Sequence, residues 1–182
     1  IFIINLFSGT LSSFIWNNLY EHQKNRILTF LDPAKDPLGA GYQIIQSITA
    51  IGSGGFLGKG YGEGSQTHLR FLPVRDSDFI VSVIGEEFGF IGILMIFTLF
   101  YILLFSIIKS SGKLNNQFGG FVLIGFSSII FFHVIINMGM VVSLFPVTGL
   151  PLPFISYGGT FLLSMMFMIS IINNIINNDI EV

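Results

Sequence analysis

Residues 79–108 run for about 30 positions with Glu86 and Glu87 as their only charges. At 1.5 Å per residue such a run crosses a bilayer with length to spare. Two more apolar runs follow, at 118–145 and 160–177, and residues 1–20 form a fourth that is studded with Ser, Thr, Gly and Asn. Small and hydroxyl side chains of that kind let membrane helices approach closely. Charged residues make up 10% of the 182 positions against about 25% in soluble domains, while 52% are hydrophobic. The pattern predicts an all-α integral membrane protein with four transmembrane helices.

Between these runs lie three connections. Residues 21–78 read as one long polar loop. Inside it, Tyr42, Ile44, Ile45, Ile48 and Ile51 recur at near-helical spacing. They predict a short amphipathic helix, lying either in the membrane interface or packed within the loop. Seven glycines then fall between Gly52 and Gly64. A Walker A loop is excluded, because Ser53 stands where its first Gly belongs and Gly60 follows Lys59. The glycine stretch reads as a flexible or tightly turned loop. Residues 109–117 form a short polar turn. Residues 146–159 hold three prolines and three glycines, too broken for a helix and too apolar for a free loop, so they read as a re-entrant or membrane-packed segment. Residues 160–178 complete the last helix and its tail.

The net charge of −2 leaves no basic footprint for nucleic acid, and the absence of Cys excludes thiol chemistry. Ionisable groups at a water–lipid boundary are costly, so they mark functional candidates. Asp78 stands at such a boundary, where a helix N-cap belongs, and a carboxylate there can serve as general base. Asp76-Ser77-Asp78 has the DxD spacing of metal-dependent glycosyltransferases, which admits Mg²⁺ or Mn²⁺ as cofactor. Lys59, Arg70 and Arg75 are the nearby cations able to bind phosphate. Glu86, about 12 Å further along the helix and rotated about 80° from Asp78, could line the same cavity, although a buried hydrogen bond is the simpler role. His133 has no partner at i+3 or i+4 and reads as a hydrogen-bonded packing residue.

Several motifs together resemble the SEDS family. Asp36-Pro-Leu-Gly-Ala-Gly-Tyr-Gln-Ile-Ile-Gln-Ser47, Ala50-Ile-Gly-Ser-Gly-Gly55 and Gly58-Lys-Gly60 resemble its large outer loop. Phe71-Leu-Pro73, Asp78-Phe-Ile80 and Gly85-Glu-Glu-Phe-Gly89 follow in family order. Asn137-Met-Gly-Met-Val141 and Pro146–Gly159 are similar to the C-terminal signature. The resemblance implies the last four helices of a ten-helix bacterial inner-membrane glycosyltransferase that polymerises lipid II into peptidoglycan. It favours the elongation branch over the division branch and implies a class B penicillin-binding transpeptidase as partner. It also implies that the 21–78 loop and the 146–159 segment face outward, and that Asp78 occupies the place of the family's essential Asp. Val74, Asp76 and Ser77 depart from the usual Glu and His-Thr, and Thr160 replaces a Ser. A lipid II transporter and a non-catalytic scaffold are the alternative readings.

Overall fold

The computed structural model describes residues 16–36, 39–65 and 77–180, and every described helix is α-helical apart from one 3-10 turn. The helices are α1 (Glu21–Leu31), α2 (Ala40–Gly54), α3 (Ile80–Ser111), α4 (Gln117–Val141) and α5 (Gly159–Ile180), with the turn at Pro33–Lys35 between α1 and α2. Of these, α3, α4 and α5 are long and apolar enough to cross a membrane. The first predicted span, over residues 1–20, lies outside the described residues except for residues 16–20, which hold a helical turn at 16–18.

Helix α1 corrects the reading of 21–78 as loop broken by a single helix. Its run of charged residues suggested solvent, but local chemistry closes a helix there. The Gln23 side chain accepts a hydrogen bond from the Tyr20 backbone N–H at 3.1 Å, and Gln23 N–H returns one to Tyr20 O at 2.9 Å. Glu21 in the first turn suits the positive end of the helix dipole. Pro33 then excludes helical geometry at Asp32, and the chain stops.

Helix α2 packs on the start of α3 through a face of mostly small residues: Gly41, Ile44, Ser47, Ala50 and Gly54 are buried. A side chain on Gly54 would overlap the Gly85 carbonyl, so only glycine permits this approach. The Ser47 hydroxyl donates to the Val141 carbonyl at 2.6 Å and lies 2.8 Å from the Ser82 hydroxyl. One buried serine thereby ties α2 to both α3 and the end of α4. Ile45 and Ile48 face outward and are exposed. Of the two readings of this amphipathic segment, the packed one accounts for its buried face.

Helix α3 is broken. Gly89 sits at φ 66°, ψ −160° and divides it into a short arm, Ile80–Phe88, and a long one. The glycine-rich stretch fills the break. Lys59 N–H donates to Glu86 O and Gly60 N–H to Glu87 O, both at 3.0 Å. In return Gly55 O accepts from Phe90 N–H at 2.9 Å and Phe56 O from Ile91 N–H at 3.3 Å. The loop therefore caps the carbonyls that end one arm and the amides that begin the next, as both orphan sets of a helix break require. The tightly turned reading of this stretch is the one the structure adopts.

Helix α4 ends at Val141, short of the predicted 145. Ser143 takes a left-handed conformation, φ 60°, and Leu144 N–H reaches back to Gly139 O at 2.8 Å. This is a Schellman closure with serine in the usual glycine place. Beyond it, residues 146–158 fold without helix over the end of the bundle, burying Leu152 and Pro153. At the opposite end, Asp179 on α5 accepts from the backbone N–H groups of Asn115 and Asn116, at 2.6 and 3.3 Å, and secures the α3–α4 turn.

Candidate functional site

Phe79, not Asp78, is the N-cap of α3, and no side chain caps the helix. That corrects the N-cap expectation and leaves the Asp78 carboxylate for other work. Its Oδ1 accepts from the Ser77 hydroxyl at 2.9 Å. Its Oδ2 faces Gly149, where a Cβ would stand 3.4 Å away, and Gly149 itself needs φ 71°. A side chain at position 149 would press on the carboxylate as well as strain the turn.

The backbone under Asp78 is held from two sides. Asn137, fully buried on α4, donates one amide hydrogen to Asp78 O at 3.0 Å and the other to Leu150 O at 2.7 Å. Ser156 donates to Ser77 O at 2.5 Å and accepts from Leu152 N–H at 2.8 Å. The 146–159 segment is thus bonded directly to the dipeptide that carries the carboxylate. Asn137 Oδ1 is buried without a partner among the described residues. His133 Nδ1 lies 3.3 Å from Pro151 O and its ring packs on Phe161, the packing role expected of it.

Arg26 is a contributor that reading the sequence missed. It projects from α1, is exposed, and donates to Thr148 O at 3.4 Å, one residue from Gly149. A separation of 52 positions from Asp78 hid this neighbourhood, and recognising α1 as a helix was the signal that could have found it.

Lys59 and Glu86 are brought together, but with each other. Lys59 Nζ lies 2.8 Å from Glu86 Oε1, with the Glu86 side chain fully buried and the Lys59 side chain 29% exposed. Ser65 bridges the two, 3.0 Å from Lys59 Nζ and 3.3 Å from Glu86 Oε1. The buried hydrogen-bonded role foreseen for Glu86 is present in this pair. Lys59→Met would remove a cation paired with the buried Glu86 carboxylate and is expected to cost roughly 3 kcal/mol. Glu86→Gln, which keeps a neutral acceptor for Lys59 and Ser65, is expected to cost less than half of that. Thermal unfolding of the two variants in detergent reads the difference.

Asp76, Arg70 and Arg75 lie outside the described residues, as does Val74. Among the described residues no three His, Asp or Glu side chains converge as a metal site would require.

The comparisons with known proteins agree with this architecture. The FtsW/RodA/SpoVE cell cycle protein family model matches residues 1–180. The chain belongs to the SEDS family. It is 43% identical over 157 residues to peptidoglycan glycosyltransferase MrdB of Escherichia coli K12, covering 86% of this chain and 42% of that protein. It is 46% identical over 154 residues to the probable peptidoglycan glycosyltransferase FtsW of Trichlorobacter lovleyi, covering 85% and 40%. Peptidoglycan glycosyltransferase RodA of Treponema pallidum is 39% identical over 157 residues, covering 86% and 36%. A solved chain from work on the structural coordination of polymerization and crosslinking by a peptidoglycan synthase complex superposes with a TM-score of 0.72 at 30% identity. That match covers 98% of this chain and 49% of the solved one. The SEDS chain thus spans about two fifths of its curated relatives' length, and it is a multi-pass inner-membrane protein.

Proposed function

We propose that this SEDS chain carries the catalytic end of a peptidoglycan glycosyltransferase that polymerises lipid II during cell elongation. The observation that carries the proposal is the Asp78 carboxylate, held by Ser77, faced by Gly149, and set on a backbone fixed by Asn137 and Ser156. A general base must be rigidly aimed, and this one is aimed by neighbours buried in the bundle end.

In the proposed step Asp78 takes the proton from the acceptor sugar hydroxyl. The freed oxygen attacks the anomeric carbon of the second lipid-linked sugar, and the bond to the pyrophosphate breaks with its electron pair leaving on phosphate. Charge developing on that leaving group needs a cation. Arg26, exposed and bonded to Thr148 O one residue from Gly149, is the cation proposed for it, since Lys59 is engaged by Glu86. Arg70 and Arg75 remain proposed phosphate contacts, and a Mg²⁺ or Mn²⁺ ion held by Asp76 and Asp78 would supply further positive charge. A class B penicillin-binding transpeptidase is the proposed partner, since the solved neighbour belongs to a complex that couples polymerization to crosslinking.

Purified full-length protein incubated in detergent with lipid II tests the reading. Glycan strands are the expected product. Lipid II movement across vesicle membranes with no strands formed would instead identify a transporter, and neither activity would leave a scaffold.

A further inference from the structure

We infer that the tip of the glycine-rich loop, Phe56 to Tyr61, is a membrane anchor inserted into the leaflet on the Asp78 side. The long arm of α3, Phe90–Ser111, is about 22 residues, or roughly 33 Å. That matches the roughly 30 Å hydrocarbon core by itself. The break at Gly89 therefore lies at the hydrocarbon boundary, and the short arm carries Asp78 up to about 15 Å beyond it, so the boundary falls within α3 and not at Asp78 as the sequence suggested. The loop that fills the break is held at this same height.

Three features of the tip match what a bilayer demands of an inserted loop. At the edge of the hydrocarbon, backbone polar groups left unpaired are costly, so a loop there gains from pairing them internally. Here Gly58, Lys59 and Gly60 donate to the carbonyls of Gly54, Glu86 and Glu87. Charge must also be neutralised, and Lys59, the tip's one ionisable cation, turns inward onto buried Glu86. What remains outward is apolar: Phe56, Leu57 and Tyr61 are 76%, 79% and 84% exposed. These side chains continue the apolar surface of α3 itself. Phe56 meets Phe90 edge-on at 5.8 Å, and Tyr61 lies 6.2 Å from Phe88. Phe88, Phe90 and Ile91 are themselves exposed at the start of the span. Aromatic rings at this level are the usual interfacial anchors. Because the tip is bonded to the carbonyls of the short arm, its depth sets the height of Asp78 above the lipid.

The inference rests on the placement of α3 in the membrane and is independent of the proposed chemistry. Its test is Leu57→Trp in full-length protein reconstituted into liposomes of phosphatidylethanolamine and phosphatidylglycerol. The parent protein's fluorescence is subtracted to isolate the added tryptophan. Insertion of roughly 5–10 Å predicts blue-shifted emission quenched about twofold by lipids brominated near the headgroup, and less by lipids brominated near the terminal methyl. Aqueous emission without quenching would overturn the inference. So would blue-shifted emission without quenching, which would mean that protein covers the tip. Should Leu57→Trp fail to give a monodisperse protein, Tyr61→Trp at the other end of the tip takes its place, with the same outcomes deciding.

Discussion

Gly58→Ala is expected to unfold the helix break, at a cost of roughly 3–5 kcal/mol. Gly58 holds φ 79°, and an added Cβ would overlap the carbonyl of Glu87. The left-handed conformation alone costs a non-glycine residue about 1–2 kcal/mol. The overlap does more damage, since the atom in the way is backbone and cannot rotate aside. Moving it would break the hydrogen bond it accepts from Gly60 N–H and disturb the neighbouring one from Lys59 N–H to Glu86 O, which together close the short arm of α3. Each lost bond in a dry setting leaves a polar group unsatisfied, at about 1–3 kcal/mol. Gly52→Ala is the internal control. Gly52 lies inside α2 with nothing within 4 Å of its added Cβ, so alanine there is expected to gain about 0.5–1 kcal/mol of helix stability. Thermal unfolding of the two variants side by side in detergent distinguishes a stitched break from a loose glycine linker. Equal melting temperatures would favour the linker.

Much of the fold was legible because membrane spans announce themselves by length and apolarity. The runs at 79–108, 118–145 and 160–177 contain α3, α4 and α5 within a few residues. The misses came where a local pattern was settled by something distant or by backbone geometry. Charges in Glu21–Leu31 looked like an exit into water, yet the Tyr20–Gln23 exchange makes a helix of it. Gly89 entered only as the last residue of the Gly85-Glu-Glu-Phe-Gly89 motif, but it marks the division of α3. Neither its role nor that of Gly58 can be read from one stretch, since Gly89 is required by the backbone of Gly58 and Phe56, and Gly58 by the backbone of Glu87 and Phe88 in the distant helix.

The candidate site was legible in part for the same reason. Asp78 stood out as a carboxylate at the end of an apolar run. The groups that aim it come from α4 and the 146–159 segment, and their part shows only in the fold. In the sequence Asn137 stood as the first residue of the Asn137-Met-Gly-Met-Val141 motif. Its two amide hydrogens in fact join Asp78 O to Leu150 O across 72 positions of chain. Helical geometry placed Glu86 as a possible cavity wall, and its rotation from Asp78 was a sound argument for a regular helix. What it could not include was the glycine loop arriving with Lys59 to occupy that face.

The second large effect expected concerns Asp78 itself. Asparagine has nearly the same shape and keeps an oxygen for the Ser77 hydroxyl, so the bonds from Asn137 to the backbone should survive. What it lacks is the capacity to take a proton. General-base removal commonly lowers a rate by 10²–10⁴-fold, so Asp78→Asn is expected to lose at least about a hundredfold in strand formation while unfolding at the parent temperature. The most direct measurement is therefore the initial rate of glycan polymerisation from purified lipid II by full-length Asp78→Asn protein, matched to parent protein of equal thermal stability. A loss of two orders of magnitude or more is the result expected. Polymerisation within a few-fold of the parent would contradict the assignment of Asp78 as the base.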